Sequence, residues 1–153
     1  MAEPARRDPE LDWVLEGMPH APPMRLIGGI VEVDGPRIEC TASIGEDHIL
    51  RAPEREGVSS LVVIELIAQA AAALLVFHAR RQGGGATQGF LVGARRLRFA
   101  VPELAVGDEL RVFAEESFSQ GPIAQFVGRI ERGGEAIAEG TISVVHAAEP
   151  PPA

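Results

Sequence analysis

The feature that most restricts the fold is the stretch LVVIELIAQAAAALLVF at residues 61–77, in which Glu65 and Gln69 are the only polar side chains. Two structures compete for such a segment, a bilayer span and a buried core helix. A span takes about 20 apolar residues, and polar atoms inside lipid are costly. This run has 17 residues and a carboxylate near its start, so it reads as a core helix. A helix that is apolar nearly all round has to be enclosed on most sides. A single antiparallel sheet can do that only by curling around it. The expected class is therefore α+β, one long central helix wrapped by a curled antiparallel β-sheet.

The rest of the chain supplies that sheet. Residues 11–17 (LDWVLEG) read as a short helix closed by Gly17, and the proline-rich MPHAPPM after it cannot continue the helix. RLIGGIVEV and RIECTASI read as two strands joined by DGP, a hairpin signal. Polar residues 45–57 then lead into the long helix, expected from about Ser59 to Arg81, with Ser59 or Ser60 as its cap and RRQGGG as its end. GFLVGARRLRFAV, DELRVFAEESF, IAQFVGRIER and EAIAEGTISVVHA follow, separated by PELAVG, SQGP and GG, and read as a four-strand meander. Alternation in ELRVFAE and FVGRIER turns one face of the sheet to water and the other to a core.

A chain of 153 residues with 46% hydrophobic content suits one domain with a genuine core, placed at residues 11–147. Residues 1–10 lack the apolar stretch of a secretory signal and read as a disordered leader, 148–153 as a disordered tail, and a cytoplasmic location follows. The net charge of −8 argues against a nucleic-acid partner, since phosphate binding needs a basic surface. A small ligand or a protein partner is expected instead. Cys40 is the only cysteine, and no Cys and His cluster has metal-ligand spacing, so neither a metal nor a redox cofactor is expected.

Glu65 and Gln69 stand at i and i+4, on one helix face about a turn apart. One reading makes this stripe a solvent-facing gap in the sheet or a satisfied buried couple. The other makes Glu65 a general acid, because an apolar wall disfavours the charged carboxylate and keeps its proton near neutral pH. An acid of that kind needs a base. His20 in the proline turn, His78 at the helix end near Arg80 and Arg81, and His146 near the C-terminus suit surface or packing roles. His48 lies in the loop that feeds the helix carrying Glu65, where a rigid scaffold can present chemistry. In EGVSS, free N–H groups at the helix start can hold a carbonyl oxygen, and Gly57 permits close approach. An ordinary capped helix is equally compatible with those residues.

Taken in order, MPHAPPMRLIGGIVEV, then GV with VIELIAQAAA, then GFLVGARRLRFAVPELAVGDELRV resemble the hotdog-fold 3-hydroxyacyl-[acyl carrier protein] dehydratases. The resemblance is closest to the dehydratase-like proteins of aryl-polyene and related polyketide-type clusters, and it runs from about Asp12 to His146. It implies a central helix in a curled antiparallel sheet, a dimer joined edge to edge, and active sites at the subunit interface. It also implies Glu65 as the acid that protonates the departing hydroxyl, with a backbone N–H at Gly57 or Val58 polarising the thioester carbonyl. His48 is the histidine it suggests as base, although HILRAPEREGVSS lacks the family's usual His-Phe-Pro and the Pro before Gly57. Gln69 belongs to the same binding stripe. The Arg95, Arg96 and Arg98 cluster could attract an acidic carrier protein or its pantetheine phosphate. Strand alternation is expected to put Arg96 and Arg98 on one face and Arg95 on the other, and solvent-facing edge positions are an equal alternative.

The leading expectation is therefore dehydration of a (3R)-hydroxyacyl thioester, linked to acyl carrier protein or coenzyme A, to a trans-2-enoyl thioester. A non-catalytic hotdog partner subunit or acyl-binding module is the alternative, in a homodimer or heterodimer, and an acyl thioesterase is a third reading. No cofactor is expected for the dehydration.

Overall fold

A computed structural model describes residues 6–84 and 87–148. The DGP turn joins β1 (Gly29–Asp34) to β2 (Arg37–Ser43) as an antiparallel hairpin, and Gly35 takes the positive φ of 57° that the tight connection needs. Before the hairpin come a 3₁₀ turn (Pro9–Leu11) and α1 (Asp12–Glu16). After it come β3 (Gly57–Ser59), α2 (Val62–Arg81), β4 (Thr87–Phe99), β5 (Glu103–Ala105), β6 (Glu109–Gln120), β7 (Ile123–Arg132) and β8 (Glu135–Ala148).

The six long strands form one antiparallel sheet in the order β1-β2-β6-β7-β8-β4. The expected four-strand meander is corrected here. β6, β7 and β8 do follow one another, but β4 crosses to the far edge to pair with β8, and β6 pairs with β2. The split has a packing reason. It sets strands from before and after α2 on both sides of the helix, which packs against β2, β4, β6, β7 and β8. Inward positions of β6 and β7 alternate as the pattern predicts, and Phe126, Ile130 and Ile142 join Ile67 and Leu74 of α2 in a fully buried core. By length and composition α2 could cross a membrane, but its apolar surface goes into the sheet, with 56% of its most apolar window buried. At the centre a Cβ on Gly128 would meet the Ile67 side chain at 2.5 Å, so only glycine lets the helix approach β7 this closely.

Several boundaries differ from expectation. PELAVG is not all loop, because Glu103–Ala105 pairs with Gly57–Ser59 in a separate two-stranded sheet. That pairing takes Ser59 into a strand, and α2 begins at Val62 with no side-chain cap. Ser60 instead donates its hydroxyl to the Val101 carbonyl. The expected leader is partly structured: Asp8 donates its N–H to the Ile30 carbonyl at 2.7 Å and caps the 3₁₀ turn through its carboxylate. Residues 1–5 and 149–153 lie outside the described residues.

The two edges of the large sheet are finished differently. Arg7 and Asp8 lie against β1 at Gly29 and Ile30. Among the described residues no strand lies outside β4, where Phe90, Leu91 and Val92 are 65%, 44% and 61% exposed. The arginines on β4 do not follow simple alternation either. A bulge between Arg95 and Arg98, with Arg96 at φ 54°, resets the register. Arg95 then stands opposite Thr141 and Arg98 opposite Glu139, so Arg95 and Arg98 share a face.

Candidate active site

One face of α2 is withheld from the sheet. Val63, Leu66, Ile67, Ala70, Ala71 and Leu74 point into the core, whereas Glu65, Ala68, Ala72, Leu75 and Val76 border a cleft of about 100 Å³. The spacing of these five follows the helical repeat, so they form a continuous track with the small alanines in the middle. Gly89 and Leu91 of β4 and Val144 of β8 make the opposite wall. The polar end is closed by Glu65 together with Pro19 and His20 from the proline-rich segment. An apolar trough ending in a carboxylate and an imidazole can hold a chain of methylenes and present ionisable groups to its functional end.

Gln69 organises that end. Its side chain is fully buried and uses its whole hydrogen-bonding capacity. The Oε1 accepts the Leu26 N–H at 2.7 Å and the Ile27 N–H at 3.4 Å. The Nε2 donates to the Met24 carbonyl at 2.9 Å and to Glu65 Oε1 at 2.8 Å. Swapping the amide's two ends would set oxygen against oxygen at both latter contacts, so the network admits one orientation. Through it the Met24–Ile27 backbone, which belongs to no strand until Gly29, is fastened to the helix, and Glu65 is held in one rotamer. Of the two readings of the stripe, the satisfied couple describes Gln69, while Glu65 keeps 38% side-chain exposure at the cleft mouth.

The imidazole beside Glu65 belongs to His20. Its Nε2 lies 3.7 Å from Glu65 Oε1, and its Nδ1 is enclosed without a hydrogen-bond partner. Sequence reasoning assigned His20 to a surface or packing role and missed this juxtaposition. A usable signal existed in Gln69, since a buried amide must find up to four partners. A proline-rich segment whose backbone groups no ladder consumes is a natural source of them.

The other candidates sit elsewhere. His48 is in the loop between β2 and β3, is not among the residues bordering the cleft, and accepts the Leu50 N–H on Nδ1 at 3.2 Å. Burial lowers its pKa below the ordinary imidazole value, against an opposing effect of Asp47. Gly57 and Val58 are buried in the ladder with Ala105 and Leu104, ahead of the helix rather than at its first turn. A Cβ on Gly57 would meet the Leu104 carbonyl oxygen at 2.4 Å, so the close approach this glycine permits is that of β5. Arg98 pairs with Glu139 at 3.6 Å, Arg95 donates to Gln125 at 3.0 Å, and Arg96 occupies the bulge between them.

A family model described as ApeP-like, ApeP dehydratase, matches residues 14–151. The chain belongs to the ApeP-like dehydratases. The FabZ 3-hydroxyacyl-[acyl-carrier-protein] dehydratase of Agrobacterium fabrum is 26% identical to this ApeP-like chain over 136 residues, 86% of each protein. That of Anaeromyxobacter sp. strain K is 29% identical over 149 residues, 91% of this chain and 92% of the relative. Among solved structures, the dehydratase heterocomplex ApeI:P from Xenorhabdus doucetiae superposes with a TM-score of 0.83 at 21% identity, covering 89% of this chain and 91% of that one. Cj0977, a sigma28-regulated virulence protein from Campylobacter jejuni, gives 0.63 at 18% identity over 97% of each chain. These structures share the ApeP-like chain's hotdog fold, a long helix laid on an open antiparallel sheet.

Proposed function

We propose that this chain acts in the dehydration of a (3R)-hydroxyacyl thioester carried by an acyl carrier protein, yielding the trans-2-enoyl thioester and water. The observation that carries the reading is Glu65, a carboxyl group fixed by Gln69 at the one polar end of an otherwise apolar cleft. Loss of hydroxide from C3 is slow unless an acid protonates the departing oxygen, and a carboxyl at the end of the acyl track is placed for that. The alanines at 68 and 72 leave room for the acyl chain, and Leu75 and Val76 bound it. Replacing Glu65 with Gln keeps the hydrogen bond partner of Gln69 but removes the transferable proton. Turnover of a 3-hydroxyacyl thioester, followed by the absorbance of the conjugated enoyl product, is expected to fall about 10³-fold. Unchanged turnover in Glu65→Gln, or release of free thiol with no enoyl product, would refute the dehydratase reading and in the second case favour a thioesterase.

The assembly is the second part of the proposal. An edge strand that is apolar on both faces and unpaired along its outer edge is a template for another strand. β4 has that character, while its counterpart β1 is covered. We therefore assign β4 as the joint to a second hotdog subunit, identical or homologous, which would also close the cleft wall formed by Gly89 and Leu91. The ApeI:P heterocomplex supports the heterologous form of this pairing. The Arg95, Arg96 and Arg98 group on the same strand suits the acidic surface of a carrier protein, and a cytoplasmic setting goes with such a partner.

A further inference from the structure

We infer that His146 reads the far end of the acyl chain, so that the cleft takes a 3-hydroxyacyl thioester whose tail ends in a hydroxyl rather than a plain methyl. The inference rests on the dehydratase reading above and narrows the substrate class of the same cleft, at the end opposite Glu65.

The place of His146 follows from strand register. Val144 of β8 borders the cleft, and side chains two apart on a strand share a face, so His146 stands on the cleft face one step beyond it. Across the ladder His146 pairs with Gly89 as Val144 pairs with Leu91, and Gly89 and Leu91 form the cleft wall. The direction away from Glu65 is fixed at two points. Ile67, two residues from Glu65, packs on Gly128, the partner of Gly140 on β8, and from Gly140 the strand runs about 20 Å to His146 at ~3.3 Å per residue. Ser60, just before α2, bonds to the Val101 carbonyl, so the helix start belongs to the opposite end of β4 from Gly89.

The imidazole is unspent. Its backbone N–H donates to the Pro122 carbonyl at 2.7 Å, which fixes the main chain, but Nε2 is enclosed without a hydrogen-bond partner. His48 and His78, by contrast, each commit a ring nitrogen to a backbone group. A buried polar atom without a partner weakens a fold unless something else answers it. Gly89 leaves the opening for a ligand to do so, because the residue facing His146 brings no side chain. The histidine is half-buried rather than sealed, and its χ2 torsion is soft enough to turn Nε2 toward that opening. An apolar track with one unpaired nitrogen past its end suits a tail with a single neutral polar group. A hydroxyl fits either tautomer of the ring, accepting from an N–H or donating to a bare nitrogen. A charged tail would lose its hydration along an apolar wall, and a methyl would leave Nε2 unpaired.

The test uses the full chain, alone and with its hotdog partner subunit, and pantetheine thioesters in a series of lengths, each made with a methyl end and with a terminal hydroxyl. The 3-hydroxyacyl compounds report kcat/KM for enoyl formation. Their analogues lacking the 3-hydroxyl cannot react and report binding by calorimetry, and thermal melts verify folding. At the length that spans the cleft, the parent is expected to favour the hydroxyl-ended compound about tenfold in both readouts. His146→Leu should bring that ratio to about one, and His146→Asn, which keeps a hydrogen-bonding side chain, should retain part of it. Gly89→Ala should reduce the preference by narrowing the opening, since its Cβ would stand 3.9 Å from that of His146, an ordinary contact. A parent ratio near one at every length, or a preference that survives in folded His146→Leu, overturns the inference, while enoyl formation leaves the dehydratase reading standing. Should His146→Leu not fold, an unchanged preference in Gly89→Ala overturns it instead. A binding preference that His146→Leu abolishes, with no enoyl product from any compound in either setting, upholds recognition of the tail and sinks the dehydratase reading alone.

Discussion

Two histidine-bearing connections are held by different means. The segment 18–27 is buried at both ends, at Met18 and Ile27, and Gln69 binds its backbone at three points from inside the core. The loop 45–56 is held by its own turns, with the His48 N–H donating to the Gly45 carbonyl, Arg51 to His48 and Arg55 to Ala52, and at its end by the Arg55–Glu103 ion pair at 2.8 Å. Ile49 and Leu50 near its tip are 42% and 47% exposed. In chain order His48 is the nearer of the two to Glu65. In space, His20 borders the cleft because a fully satisfied buried amide anchors its segment to the helix that carries the acid. Tethering, rather than proximity along the chain, decides which imidazole meets the carboxyl.

The contrast can be broken from its strongest point downward. Substituting Glu65 by Gln should cost the most, about 10³-fold in kcat with a near-parental melting temperature, since the exchange removes a proton and little packing. Gln69→Leu comes next. It strands the Leu26 N–H and the Met24 carbonyl in a partly buried site, each costing about 1–2 kcal/mol, so a loss of about 2–4 kcal/mol is expected. At about 2–4 °C per kcal/mol for a chain of this size, calorimetry should find a melting point lower by about 5–15 °C. Activity at a permissive temperature should drop about 10²-fold as His20 loses its anchor. A Gln69→Leu protein with parental stability would show that the segment is held by something else.

Leu50→Ser probes the other connection. The side chain is already half in water, so the isolated chain should change by less than about 0.5 kcal/mol. A larger effect seen only in the assembled complex would mean that the partner subunit covers this loop. The smallest effect concerns pH. Burial holds the His48 pKa below its unfolded value near 6.5, so the unfolded chain binds the proton more readily. The sign follows from that difference: the contribution is fully present above about pH 6.5 and is lost as acidification proceeds through the folded-state value. Urea midpoints should therefore decline slightly from pH 7.5 to 5.5, and His48→Gln should remove that part of the decline.

Much of this architecture was legible in the residues. The hairpin around Gly35, the extent of α2 to Arg81 and the alternation of β6 and β7 all rest on local signals, turn chemistry and periodicity, which act within a few residues. Strand order was not legible, because alternation says which face a strand buries and nothing of which neighbour it takes. The helix start failed for a related reason: Gly57–Ser59 has a better partner in Glu103–Ala105 than in a helical first turn, and that partner is more than 40 residues away.

The amino-acid order by itself determined that a carboxylate and an amide would share one face of an apolar core helix, since helical geometry converts a four-residue spacing into adjacency. It determined equally that this helix needed a sheet to cover it. Only the tertiary structure decided which side chains complete the site. Gln69 could satisfy its four hydrogen bonds only by drawing in backbone from more than 40 residues upstream, and His20 came with it.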